Sequence, residues 1–563
     1  MRGVEIPVPN KTTAAGDLAG GLSVAMVSIP EGMAYALIAG VNPIYGLYAG
    51  MLTVIVGSLF SSTKLMIITL TNAIALIVAD NLGFLGDDIV RGIATLTLLI
   101  GLIQFLLGIL KLGTLVRFIS NEVMAGFIAA VATIIIFGQI EELVGYQGNV
   151  DVGGQLSGRI VEGIVIIVTP WHWDPATATM GFLTIGVLLA LKRTKLERFA
   201  DFSVVAIIAV VVGVLSLGSV MIVQDISVIP NELPSLVAPD YTLIPGLAPA
   251  ALAIAIVALI ESAGISSAFP NPDKSKIDSS RNFTAHGLAN LAGSLIAALP
   301  GGGSMSRTAI NLDAGSLTRF GGVLAGAIVI LSVALFGPVF EFIPMTALAG
   351  LLIVIGLGIL RKEVPKMIEA WHASKAYSAS MIATYVIAVG YSLEMAVFVG
   401  VVLSLTLYVY FSARDVKLVM LEPLGDGIFE ARPVPEEFPS DEVTLIQSRG
   451  SMYFAAVHTL QDQLPSWENT RHAVIILNMY GRSMVGTNLI DLVLSMHRDM
   501  LEKDIKLMLS DVVPAIMVQF ERTGLLDELG REYVFPARDV IGASITEALE
   551  VASAWLEEDR DEQ

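Results

Sequence analysis

Between two long apolar runs the sequence reads Leu299-Pro-Gly-Gly-Gly-Ser-Met-Ser-Arg-Thr308. It sets three glycines, Ser304, Ser306 and Arg307 at a depth where lipid tolerates no open backbone. Irregular chain survives there only if it is buried in protein or lines a cavity. A charge near the bilayer centre costs at least about 2.5–3.5 kcal/mol, so Arg307 needs a partner, water or a ligand. If a helix opens after the glycines, its free N–H groups and positive dipole end add to the arginine charge. That combination attracts an anion, with Arg307, Ser306, Ser304 and backbone N–H groups as the donors. The competing reading is a static ion pair, for which Asp313 is a candidate partner.

A second interrupted element, Ile67-Ile-Thr-Leu-Thr-Asn-Ala-Ile-Ala-Leu76, lies early in the chain and is also too short to span. Paired interrupted segments in corresponding halves of a membrane protein point to a transporter binding site. Their half-helix N-termini are expected to face each other near the bilayer midplane. Thr69, Thr71 and Asn72 then offer neutral hydrogen bonds to the same ligand, and Tyr35 in the first run faces the pathway. Glu261 closes the run Ala251–Ile260 and precedes the small residues Ser262-Ala-Gly-Ile-Ser-Ser267. Small residues admit close helix approach, so this carboxyl is expected to face the bundle interior and carry a proton. Ser28, Pro30 and Glu31 fall in the first run, where Pro30 kinks it and Glu31 can line the pathway. Asn290 and Asn311 are expected to pair backbone groups freed by the breaks, and His286 reads as structural. No metal-ligand spacing, phosphate loop or nucleophile–base pair occurs, so no metal, cofactor or ATP-driven step is expected.

These residues need a membrane scaffold, and the composition supplies one. The 563 residues are 54% hydrophobic and 15% charged, with a mean hydropathy of +0.74. Soluble domains carry roughly a quarter charged residues. Apolar runs near the spanning length of about 20 residues recur from Leu18 to about Ser412. Clear examples are Ala94–Leu110, Phe202–Val223, Ala250–Phe269, Val323–Phe340 and Ala396–Phe411. Basic residues cluster at Lys111/Arg117, Lys192–Arg198, Lys274/Lys276/Arg281, Arg361/Lys362/Lys366 and Arg414/Lys417, while the alternate loops are poor in them. The positive-inside rule makes the basic set cytoplasmic, and both termini with it. No cleavable leader is read at the N-terminus, and with no cysteines there is no disulfide or thiol chemistry.

After Arg414 the pattern turns soluble. The stretch 414–440, rich in proline and acid, reads as a linker with one first strand. Val443–Ile446, Val474–Leu477 and Lys506–Leu509 read as strands; Leu489–Leu501, Pro514–Thr523 and Ile545–Glu557 read as helices with an apolar face. The alternation argues a small α/β domain over 441–556. Much of the net charge of −19 lies here and in the acidic tail 557–563, as solvated surface. Nothing suggests nucleic-acid binding. The expected order is a short segment 1–15, a transporter domain 16–413, the linker, the α/β domain and the tail.

Ser28-Ile-Pro-Glu-Gly-Met-Ala-Tyr-Ala-Leu-Ile-Ala-Gly-Val-Asn-Pro-Ile-Tyr-Gly-Leu-Tyr48 resembles the signature of the sulfate permease (SulP, solute carrier 26) anion transporters. Gly287–Ser294 with Gly303–Gly315 resembles that family's second core motif, and the C-terminal domain resembles its STAS domain. The resemblance covers essentially the whole chain. It implies about fourteen membrane segments in two inverted repeats of seven (a UraA-like fold), split into core and gate domains. It further implies a homodimer in the plasma (inner) membrane that moves its anion by elevator-type alternating access. Arg307 matches the arginine that opens the family's tenth segment, and Glu261 the eighth-segment glutamate linked to proton coupling. The third segment lacks the family's frequent Gly-Pro. In the STAS domain Val485-Gly-Thr-Asn488 aligns with a phosphorylatable motif, so Thr487 is a regulatory phosphosite candidate, although Val485 replaces its acid. The STAS domain is a candidate to bind a regulatory protein.

The expected function is therefore proton-coupled symport of a small anion, sulfate first. Sodium- or proton-coupled bicarbonate or dicarboxylate transport and anion exchange are the alternatives, with sodium the other possible coupling ion. A membrane enzyme is disfavoured by the missing catalytic constellation, and a channel-like anion motor would pass current without a coupling ion.

Overall fold

The computed structural model describes residues 11–82, 86–113, 120–150, 156–194, 197–226, 229, 233–425, 428–450, 454–482 and 484–562. Arg117 and Lys195, two of the residues expected to set sidedness, lie outside this set, as does most of the segment 1–15. The chain divides into two compact units, Met1–Leu405 and Thr406–Gln563.

The first unit is helical. Its first half runs α1 (Lys11–Ile38), α2 (Pro43–Ala49), α3 (Leu52–Phe60), β1 (Ile67–Thr69), α4 (Asn72–Leu82), α5 (Ile89–Ile109), α6 (Asn121–Gly138), α7 (Ile140–Val144), α8 (Leu156–Val168), α9 (Pro175–Leu191) and α10 (Ala200–Val214). The second half runs α11 (Ile244–Ala268), α12 (Ser279–Ser294), β2 (Gly302–Ser304), α13 (Met305–Asp313), α14 (Phe320–Phe340), α15 (Met345–Ala373), α16 (Lys375–Gly390) and α17 (Leu393–Arg414). Among the described residues, eight helical stretches are long and apolar enough to cross a membrane. The broken segments β1–α4 and β2–α13 and the shorter helices complete two sets of seven, with α8 as an addition to the first. The expected single run Phe202–Val223 is instead cut after Val214, where Ser216 takes a left-handed φ of 51°.

The packing repeats between the halves. Helix α1 packs on α13 and α14, and its counterpart α11 packs on α4 and α5. Likewise α5 packs on α12 while α14 packs on α3. These elements form the core body, and α6 against α15 and α16, with α9 against α15, forms the gate body. Close approach in the core rests on small residues. A Cβ on Gly287 of α12 would lie 2.5 Å from the backbone nitrogen of Phe105 on α5.

The second unit is a six-stranded sheet in the order β4-β3-β5-β6-β7-β8. Strands β5 (Val443–Arg449), β6 (Ala473–Asn478), β7 (Ile505–Val512) and β8 (Val534–Pro536) are parallel, which requires helical crossovers. The crossovers are α18 (Phe454–Gln461), α19 (Thr487–Leu501), and α20 (Pro514–Thr523) with α21 (Leu525–Leu529). Ile475 and Leu477 face these helices, while Val474 and Ile476 face α22 (Ala543–Glu562) on the other side. The stretch expected to be a linker with one first strand folds as a full antiparallel hairpin, β3 (Lys417–Gly425) and β4 (Ile428–Pro433), at the sheet edge. Its largely exposed β4 carries no apolar alternation to announce it, whereas β3 is held by pairing Lys417–Met420 with Ile446–Arg449.

Candidate functional site

The two interrupted elements meet. Strands β1 and β2 pair antiparallel, with Ile67 opposite Ser304, Ile68 opposite Gly303 and Thr69 opposite Gly302. Each strand leads into a short helix, so α4 and α13 start from opposite ends of the paired strands at the centre of the core body. The register relates the halves by an approximate twofold axis through Ile68 and Gly303, which makes Thr71 the counterpart of Ser306 and Asn72 that of Arg307. Ser304 caps α13, its hydroxyl accepting the Arg307 N–H at 3.4 Å. Thr308 ties the elements together, accepting the Ile67 N–H at 3.1 Å and donating to the Ser304 carbonyl at 2.6 Å.

Arg307 is fully buried. Its Nη1 donates to the Leu70 carbonyl at 3.0 Å, across the junction between β1 and α4. Its Nη2 lies 3.0 Å from Oε2 of Glu31 on α1, and its guanidinium sits 5.7 Å from the centre of the Tyr35 ring. The ion pair therefore forms with Glu31, one helix away in the other repeat, and not with Asp313. Nη2 is thus taken by the Glu31 carboxylate, while the buried Nε has no hydrogen-bond partner among the described residues. Buried donors without acceptors are costly and therefore uncommon.

Glu261 lies on α11, the counterpart of α1. Thr71 Oγ1 donates to it at 3.1 and 3.3 Å, to Oε1 and Oε2. Among the described residues no cation lies within ion-pair distance of it, in contrast to Glu31. Gly302 is what admits it, because a Cβ there would come within 2.5 Å of Glu261 Oε2 and 2.7 Å of Ile74 Cδ1. Asn72 turns its amide oxygen onto the Ala73 N–H at 2.8 Å, while Ser306 is exposed at the mouth of α13. The structure thus brings Arg307, Ser304, Ser306, Thr71, Asn72, Tyr35 and Glu261 around one junction. Thr487 stands apart in the second unit, exposed as the first residue of α19.

The shell around the junction is polar. Asn290 brackets Gly301, accepting its N–H at 2.7 Å and donating to its carbonyl at 2.9 Å. Asn311 donates to the Leu65 carbonyl at 3.1 Å, and His286 bonds the Asn282 carbonyl one turn back on α12. Sequence reasoning missed Asn282. Fully within the core, it accepts from Ser61 Oγ, Ser62 N and Thr63 N at 3.0, 2.7 and 3.1 Å, and donates to Thr63 Oγ1 and Ser266 Oγ at 2.9 Å each. These bonds fix the loop that launches β1. An asparagine in a helix of low hydropathy gave the only hint. Among the described residues no group of histidine, cysteine or carboxylate side chains is arranged to hold a metal ion.

Residues 15–384 match the Sulfate permease family, and residues 439–540 match the STAS domain. The chain belongs to the Sulfate permease family. Sulfate transporter 4.1 of Arabidopsis thaliana, a chloroplastic protein, is 27% identical over 543 residues, covering 92% of this chain and 78% of that one. Sulfate transporter 3.1 of the same plant is 24% identical, covering 96% and 85%. The murine solute carrier 26 member A9 anion transporter, solved in an inward-facing state, superposes with a TM-score of 0.84 at 18% identity, covering 97% of this chain and 92% of that one. This member of the family is a multi-pass anion transporter with an inverted-repeat membrane unit and a C-terminal STAS unit, and not an enzyme.

Proposed function

We propose that this sulfate permease relative is a secondary active importer of a small anion, sulfate first, coupled to protons and working by elevator-type alternating access as a homodimer. The observation that carries the reading is the buried guanidinium of Arg307, whose Nε has no partner among the described residues, beside the N-termini of two short helices. An anion at this junction receives N–H groups from α4 and α13, hydroxyls from Thr71, Ser304 and Ser306, and the Asn72 amide. Tyr35 walls the guanidinium on one side. The plant relatives are named sulfate transporters, and that supports reading sulfate ahead of bicarbonate and dicarboxylates.

Charge balance supplies the coupling. Glu31 neutralises Arg307, so an anion must compete with it, and a proton on Glu31 releases the guanidinium to the substrate. Among the described residues Glu261 has only the Thr71 hydroxyl for support, and it carries a second exchangeable proton next to the same site. Arg307 and Glu31 belong to different repeats but to one core body, so the site travels intact as that body slides against the gate. The basic loops and both termini lie on the cytoplasmic side of the plasma membrane. The exposed Thr487 at a helix start would hold a phosphate next to free N–H groups, though Val485 removes the usual acid.

The test is uptake of labelled sulfate into proteoliposomes with and without an inward proton gradient, with and without sodium, and with bicarbonate or fumarate as competitor. Gradient-driven uptake without sodium is expected. Uptake that ignores the proton gradient overturns the coupling, and complete displacement by bicarbonate or fumarate reassigns the substrate. Glu261→Gln is expected to keep anion binding while losing the dependence on the proton gradient.

A further inference from the structure

We propose that the distal end of α15 is a binding surface for anionic phospholipid headgroups. The helix has 29 residues, about 43 Å at 1.5 Å per residue, against a hydrocarbon core of about 30 Å. Its first ten residues, Met345–Val354, are buried in the bundle. Arg361 and Lys362 are its first charges, and from there the helix leaves the hydrocarbon.

Beyond that point the exposed side chains have two characters. Leu357, Val364, Ile368 and Trp371 are all exposed and recur at helical spacing, forming one stripe. Arg361 borders this stripe, Lys362 and Lys366 lie on the opposite face of the helix, and Lys375 opens α16; all four are exposed. The acids of this stretch cancel them only in part. Glu363 is buried and held by Lys366 at 2.7 Å, which leaves Glu369 as the exposed acid. In a chain whose net charge is −19, this is a local basic excess beside an aromatic anchor. Pro365 lacks an N–H, so the Arg361 carbonyl loses its helical donor and needs water or a headgroup, which the interface supplies and the hydrocarbon does not. An apolar face carrying a tryptophan, with lysines on the opposite face, matches a helix lying at the level of anionic headgroups. Since α15 also packs on α6 and α9, such a contact fastens the gate body to the leaflet.

The experiment reads Trp371 fluorescence in the full-length protein reconstituted in nanodiscs, the signal of Trp371 being the difference between the native chain and W371F. Bromine-labelled phosphatidylglycerol or bromine-labelled phosphatidylcholine is included at equal mole fraction. Each basic residue near a surface enriches anionic lipid by about fivefold, so quenching by the phosphatidylglycerol should exceed that by the phosphatidylcholine by at least about twofold. Raising salt from about 0.1 to 1 M shortens screening from about 10 to about 3 Å and should abolish the preference in the native protein. The R361Q/K362Q/K366Q variant should lose it at low salt. Equal quenching by both lipids, no quenching by either, or a preference that survives high salt or the triple substitution overturns the proposal.

Discussion

The pairing of Arg307 with Glu31 sets up a test in which stability and transport part company. Arg307→Gln leaves the Glu31 carboxylate buried without a counter-charge, a loss of about 3–5 kcal/mol when a buried pair is broken from one side. Glu31→Gln strands the guanidinium in the same way. Replacing both with neutral groups removes the buried charges together, and such replacements are often neutral in stability. The double variant R307Q/E31Q should therefore unfold close to the native chain although each single variant does not. Transport should not recover with it. A hydrogen bond to a charged group is worth about 1.5–3 kcal/mol, so losing the guanidinium at the anion should weaken its binding about tenfold to a hundredfold. The assay is thermal unfolding of the purified variants beside concentration-dependent sulfate uptake in proteoliposomes. A double variant that transports sulfate with native affinity would show that Arg307 is an internal strut, and the anion site would have to be sought elsewhere.

Three further outcomes are expected. Gly302→Ala forces a Cβ to within 2.5 Å of Glu261 Oε2 and should cost about 1–3 kcal/mol and most of the uptake, while Gly186→Ala, which meets nothing within 4 Å, should change neither. Asn282→Ala orphans the buried Ser62 N–H at a cost of about 1–3 kcal/mol, and because it loosens the loop before β1 it should raise the KM for the anion; an unchanged KM would limit Asn282 to a structural role. In the STAS unit, burial holds the His497 imidazole below its ordinary pKa of 6.5. The unfolded chain then binds a proton that the folded one refuses, so stability is full above about pH 7 and falls as the pH drops through 6.5. Hydrogen exchange of α19 in the full chain should quicken between about pH 7.5 and 5.5, and His497→Gln should flatten that dependence.

Much of the membrane unit could be read from composition, because lipid punishes polar backbone so strongly that each exception stands out. The two broken segments and Arg307 were legible for that reason, and so was Glu261. The helices and strands of the STAS unit announced themselves by period. The β3–β4 hairpin did not, since an exposed edge strand has no buried face to pattern its residues. The break after Val214 was hidden as well, because Ser216, Gly218 and Ser219 are flanked on both sides by apolar residues that read as one run.

The residue types that must coexist in this chain were settled by sequence: an arginine, its neighbouring serines and a carboxyl at membrane depth, each too costly to place there without a ligand or partner. Which of them touch was decided by tertiary structure alone. Asp313 is six residues from Arg307, yet Glu31, 276 residues away, takes the guanidinium. The inverted halves lay β1 against β2, which brings α1 across to α13 and α11 across to α4. Spacing along the chain cannot encode an ion pair between repeats, because its geometry exists only once the two halves have packed.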